Sequence, residues 1–272
     1  MLRKFSSSRT LAENIRLGAL TAFVAGMVNV GSLLIFFAFT SNVTGHYAII
    51  AAEVAKGNYY QLAVVTAWIF AFLLGSFTSN ALVINLNRWS QYVAHAMPLV
   101  LEILCLMAVG LYGQYYYRET LTETEFLLTL MLFAMGLQNG LTASISNFAV
   151  KTTHLTGATT DLGILLSMMM RREYRQNSEL VGRTKLVSSI MVSYLIGAIV
   201  AGFACVHIGF QTFYLVSILL VVVIFYDLYE LHIRRYIMSR RGERPAGIPV
   251  HQGLPEIGVL RSDQKEREVA AL

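Results

Sequence analysis

The sequence predicts an all-α membrane protein of about six transmembrane helices, set in two three-helix repeats of inverted orientation, each with an extra short polar helix. Three observations predict it. Only 14% of the 272 residues are charged while 56% are hydrophobic, whereas a soluble domain carries about 25% charged residues to coat its surface. The apolar residues come in runs about the length of a bilayer crossing, roughly 20 residues. Finally, the two halves of the chain echo each other in a fixed order of motifs.

The first run, Leu17–Phe39, is too long for the apolar region of a cleaved signal and lacks a convincing cleavage site, so it is expected to stay as the first span. Thr40–Lys56 follows, short and polar, with Asn42, His46, Glu53 and Lys56 in a barely sufficient length. Leu62–Leu86 and a run centred on Pro98–Tyr112 complete the first half; Glu102, four residues after Pro98 and near the cytoplasmic interface, reads as a lipid-edge or loop-paired carboxylate in preference to a coupling site. The second half repeats the plan with Phe126–Val150, the short polar Lys151–Met170, then Leu186–His207 and Thr212–Leu231. Residues 1–16 are thus an N-terminal segment, 17–117 and 126–233 the two membrane repeats, and 239–272 a flexible, Arg- and Pro-containing tail.

Lys and Arg concentrate on the cytoplasmic side of membrane proteins. Arg3, Lys4, Arg9 and Arg16, the cluster Arg171, Arg172, Arg175, Arg183 and Lys185, and the Arg-rich tail therefore place both termini in the cytoplasm. The loop with Arg118 against Glu119, Glu123 and Glu125 suits the outside. Eight spans, with both polar segments crossing, satisfy these charges nearly as well. The tyrosines Tyr59, Tyr60 and Tyr115–Tyr117 read as interfacial belts. Cys105 and Cys205 sit inside apolar runs, so no disulfide framework is implied.

The internal match runs as follows. Gly26-Met-Val-Asn29, Ser41-Asn42-Val43-Thr44-Gly45 and Phe72-Leu-Leu-Gly75-Ser76 recur as Gly136-Leu-Gln-Asn139, Thr153-His154-Leu155-Thr156-Gly157 and Tyr194-Leu-Ile-Gly197-Ala198. The Asn-to-Thr spacing is 15 residues (Asn29 to Thr44) in one half and 17 (Asn139 to Thr156) in the other. Opposed repeats are a common transporter design. Gly136-Leu-Gln-Asn139-Gly140 with the run from Thr152 to Gly163 resembles the YoaK-like bacterial membrane proteins, a family of unknown function with roughly six predicted spans. The resemblance covers about Leu17 to Leu231 and implies a bacterial inner-membrane location, but no activity.

Asn29 and Asn139 fall inside spanning runs, where an unpaired amide is costly. They read either as a shared solute site or as interhelical hydrogen bonds that fix packing. In the second polar segment Thr153, His154, Thr156, Gly157, Thr160 and Asp161 gather on about 160° of helix, opposite Leu155, Leu162 and Leu166. Intramembrane ionisable groups point to function, while an amphipathic helix at the interface is the plainer account. The nearest cations to Asp161 in sequence are His154 and Lys151. Thr44-Gly45 and Thr156-Gly157 are either breaks that aim helix ends at a ligand or capping and close-packing residues.

No phosphate loop, CxxC pair, HExxH helix or GxSxG elbow occurs, and the histidines lack metal-ligand spacing, so no metal, cofactor or catalytic residue is expected. The absence of a basic face on a folded domain argues against nucleic acid. The expected function is a secondary transporter or permease for a small molecule or ion. Asn29, Asn42, Thr44, Gly45, Asn139, Thr153, His154, Thr156, Gly157, Thr160 and Asp161 are its candidate binding residues, and a homo-oligomer is allowed. The alternatives are a membrane-embedded enzyme using His154 and Asp161, or an accessory membrane protein.

Overall fold

The computed structural model describes residues 10–225; the basic residues Arg3, Lys4 and Arg9, the end of the last expected span and the tail lie outside them. Among the described residues every element is helical. In chain order these are α1 (Leu11–Phe36), α2 (Val43–Lys56), α3 (Tyr59–Leu86), α4 (Gln91–Tyr115), α5 (Leu121–Ser146), α6 (Leu155–Met169), the single turn α7 (Arg172–Arg175) and α8 (Ser178–Ile208). A 3₁₀ turn, Gly209–Gln211, leads into α9, helical over 212–225.

The helices start where the chain supplies a cap. Thr10 and Glu13 form a reciprocal capping box on α1, and Asn42, Asn58, Ser90, Thr120 and Asn177 accept from backbone N–H groups at the starts of α2, α3, α4, α5 and α8. Two of the long helices stop in the same way. Phe37 and Asn147 adopt left-handed backbone (φ 57° and 52°) and return their N–H groups to Leu33 and Ala143. These stops end α1 and α5 earlier than hydropathy alone suggests. α8 begins well ahead of its apolar run because Asn177 caps it.

Among the described residues five helical stretches are long and apolar enough to cross a bilayer: α1, α3, α4, α5 and the 48-residue Ser178–Phe225. The last doubles back at Gly209, whose φ of 53° and ψ of −126° no other residue type adopts easily. α9 then runs against α4 in the opposite direction: Phe210 sits on Gly113, Tyr214 on Gly110, and the Tyr92 hydroxyl donates to the Ile224 carbonyl at 2.8 Å.

The strongest packing joins α1 to α8 and α3 to α5, each pair running parallel. Along the first pair Gly182 meets Leu11, Gly18 meets Ile190, and Gly31 meets Cys205. Along the second the Tyr60 hydroxyl donates to a Glu125 carboxylate oxygen at 2.6 Å, and near the far end the Ser144 hydroxyl donates to Asn80 at 2.8 Å. Both pairs cross at glycine. A Cβ on Gly26 would overlap the Tyr194 carbonyl, and one on Gly197 the Phe23 carbonyl; Gly75 and Gly136 stand the same way to Phe133 and Phe72. Without side chains at the crossing the backbones come within van der Waals reach, the packing that membrane helices use where no hydrophobic drive separates them from lipid.

α1 and α5 are antiparallel, since Val150, just past the end of α5, packs on Gly18 near the start of α1. One end of the bundle therefore carries Leu11, Arg88, Ser146 and Ser178, and the other carries Phe36, Lys56, Arg118 and Gly209. The ring cluster of Phe36, Tyr117 and Phe210, with centroids 5.4–5.8 Å apart, closes that second end.

Candidate functional site

After Phe36 the chain turns back toward the bundle interior. Ser32 holds the turn by donating its hydroxyl to the Ala38 carbonyl at 2.7 Å. Thr40 and Ser41 then donate their N–H groups to the Asn29 side-chain oxygen at 3.0 and 3.1 Å, while the Asn29 amide donates to the Tyr194 hydroxyl at 2.8 Å. Asn29 lies seven residues before the end of α1, which is about 10 Å at 1.5 Å per residue. α2 thus starts well below the Phe36 end and climbs back to it at Lys56.

The second half does the same from the opposite end. The Ser146 hydroxyl accepts from the Val150 N–H at 3.0 Å, and Thr152 and Thr153 donate their hydroxyls to the Asn139 oxygen at 3.2 and 2.9 Å. α6 starts at that level and returns to the Leu11 end. Its amide differs: Phe72 stands where α8 has Tyr194 and carries no hydroxyl, so the Asn139 amide donates to the Met135 carbonyl at 2.8 Å. Both asparagines therefore hold a returning strand of chain.

The other candidates divide between the two arms. Asn42 is exposed and caps α2 through its oxygen and the Gly45 N–H at 3.2 Å; Thr44 is exposed. The neighbouring His46 is buried against Trp68, ring centroids 5.6 Å apart. On α6, His154 occupies the cap position without a capping bond, Thr156, Gly157 and Thr160 are exposed, and the Thr160 hydroxyl donates to the Thr156 carbonyl at 3.2 Å. The apolar side of α6 is centred differently from the sequence expectation: Leu165 is buried and Leu166 is exposed, because α6 packs on α8 through the stripe that also carries Asp161.

Asp161 is half-buried and its partner is neither His154 nor Lys151. The Arg183 guanidinium donates to it at 3.0 Å from the first turns of α8. In the sequence Arg183 reads only as one of the basic residues that set topology; in the structure it is an ion-pair partner. His154, Gly157 and Asp161 line one cavity of about 780 Å³ with Lys151, Glu179 and Arg183, between α6, α8 and the start of α1. Asn29, Asn42, Thr44, Gly45, Asn139, Thr153, Thr156 and Thr160 do not line it. Among the described residues no cluster of three His, Cys, Asp or Glu side chains could hold a metal ion.

Sequence reasoning also misplaced Glu102. α4 begins at Gln91, so Glu102 falls near its midpoint and not at an edge. The residue is 0% exposed, and neither carboxyl oxygen has a hydrogen-bond partner among the described residues. Gln138 on α5 is equally buried, and both its amide atoms are likewise unpartnered. The signal in the sequence was the lone acid inside an apolar run.

Residues 17–226 match the model of the family described as "Protein of unknown function (DUF1275)". No curated protein matches the chain. No solved structure matches it.

Proposed function

The chain belongs to the DUF1275 family, and we propose that it is a secondary transporter or permease for a small solute, built of six spans in two inverted three-helix repeats. The observation that carries this reading is the pair of returning arms. α2 and α6 enter from opposite ends, each starts at an asparagine-held strand inside the bundle, and each points the positive end of its dipole inward. Non-helical backbone at bilayer depth is tolerated only where protein buries it or water lines it. Opposed half-helices of this kind surround the solute in known transporter designs.

The cavity at His154, Asp161 and Arg183 has the volume of a small-molecule site. It holds groups of both charges, which suits a polar solute. The Leu11 end is the cytoplasmic end in this reading, since Arg16, Arg88, Arg171, Arg172, Arg175, Arg183 and Lys185 gather there, against Lys56 and Arg118 at the other. Both termini then lie in the cytoplasm and the membrane is the bacterial inner membrane. The bilayer and the solute are the partners.

A membrane enzyme is the second reading, because a single cleft holds both His154 and Asp161. The Arg183 ion pair counts against it, because the guanidinium occupies a carboxylate oxygen that a substrate would have to reach. An uptake screen in proteoliposomes, with and without imposed ion gradients, tests the transport reading. Uptake of no solute in any gradient, by protein shown to be folded, would sink it.

A further inference from the structure

We propose that Glu102 is the proton-binding carboxylate of the transport cycle, taking up a proton in the closed bundle seen here and releasing it when α4 and α5 part. The inference rests on the transport reading and adds the coupling ion.

The geometry begins with register. Leu99 of α4 and Leu141 of α5 line the same small apolar cavity with Leu17, Val24 and Leu220. One turn further along each helix, toward the Phe36 end, come Glu102 and Gln138. The two helices are antiparallel, so both side chains reach the same level of the core. Four buried polar atoms, two carboxyl oxygens and the amide N and O, are without hydrogen-bond partners there among the described residues. Buried polar groups are almost always paired, and such an exception calls for a role.

An ionised carboxylate cannot stay in that place. No cation among the described residues reaches it, and an unpaired charge in an apolar interior is neutralised by taking a proton. The neutral acid then has one O–H to give and one C=O to accept with. The Gln138 amide, at the same level, carries the matching acceptor and donors. The cation is a proton and not a metal ion because the level offers too few free oxygens: Glu102 and the Gln138 carbonyl, beside a cavity lined by leucine, valine and Thr21, whose hydroxyl is already bonded to the Leu17 carbonyl.

Few other titratable groups face this point. Cys105 lies one turn on and His95 two turns back on α4, and Tyr214 comes from α9 beside Gly110. The buried residues of α1, α3 and α5 include none. His95 shares the face of Glu102 on the side of the Leu11 end. Between them Pro98 has no N–H to give the Ala94 carbonyl, which opens the helix ladder on that side.

Infrared spectroscopy of the full chain in lipid nanodiscs tests this without knowing the solute. A protonated-carboxyl C=O band is expected at neutral pH, absent from Glu102→Gln, and lost reversibly as the pH rises before the tyrosines ionise. If no such band distinguishes Glu102→Gln, or if it does not respond to pH at all, Glu102 is a fixed polar group and the inference is overturned. Should Glu102→Gln fail to insert, Glu102→Asp must keep a titrating band at a shifted pH; a band unchanged in position and titration overturns the assignment equally. In proteoliposomes, loss of uphill uptake by Glu102→Gln with exchange retained supports the coupling role. Uphill uptake that survives the substitution removes Glu102 while leaving transport intact, and a titrating band with no transported solute keeps the proton site and removes the transport reading.

Discussion

The side chain of Asn29 ties the returning strand to a neighbouring helix, donating to the Tyr194 hydroxyl of α8 at 2.8 Å while its oxygen takes the N–H groups of Thr40 and Ser41. The link makes the position of α2 depend on α8. Asn29→Leu leaves the Thr40 N–H, which is fully buried, without a partner, at a cost of about 1–3 kcal/mol. Tyr194→Phe removes a hydroxyl bonded to the Asn29 and Ser41 side chains but strands no buried backbone N–H, at about 0.5–1.5 kcal/mol per neutral bond. Thermal unfolding in detergent should rank the two in that order, with Asn139→Leu alongside Asn29→Leu. Equal and negligible effects would mean the asparagines hold nothing.

The glycines separate into two groups by what surrounds them. Gly75→Ala and Gly197→Ala place a methyl on a backbone carbonyl that cannot turn aside, and overpacking of this kind costs about 1–3 kcal/mol. Gly157 and Gly163 face open space, so alanine there should be neutral or stabilising by up to about 1 kcal/mol from helix propensity. Unfolding midpoints of the four variants check the division. A large loss in Gly163→Ala would point to a face covered by something else.

Asp161 and Arg183 form a half-exposed pair, and such pairs contribute about 0–1 kcal/mol. Asp161→Asn should therefore barely move the unfolding midpoint. If the pair gates the cavity, solute uptake falls in Asp161→Asn and in Arg183→Gln, and the exchanged pair Asp161→Arg with Arg183→Asp recovers part of it. A stable Asp161→Asn with unchanged uphill uptake removes the residue from the mechanism.

Glu53 supplies the acid side of the pH dependence. It accepts from the Lys56 ammonium at 2.7 Å and from the Asn58 amide at 2.8 Å, across the turn between α2 and α3. The Lys56 bond, with Asn58 assisting, holds its carboxyl below the ordinary value of 4.5. The folded chain thus binds fewer protons here than the unfolded one. Its contribution is present above about 4.5 and fades as the pH falls through the lowered value. Glu53→Gln should flatten the acid limb of a midpoint-against-pH curve; an unchanged limb assigns that loss of stability to other carboxylates.

Much of the fold was legible because hydropathy and length report spans directly. The two asparagines were legible too, as lone amides in apolar runs that each hold the segment 11 to 14 residues further on. What stayed hidden needed packing. Arg183 meets Asp161 from 22 residues away on another helix, and no spacing rule connects them. The depth of Glu102 depended on where α4 starts, and Ser90 caps it well before the apolar run that hydropathy picks out. The left-handed stops at Phe37 and Asn147 carry no glycine to announce them, so the returns they initiate looked like ordinary short segments.

The pairing of α1 with α8 and of α3 with α5 has a consequence for synthesis. Each early helix emerges from the ribosome long before its partner, and the bare glycine face of α1 must wait in the bilayer until most of the chain has been made. Neither half can finish alone, because each lends its first long helix to the other. Cut in the loop at 117–120, the gene should yield two polypeptides that are degraded when made singly and that assemble when made together, held at two crossings where backbone meets backbone.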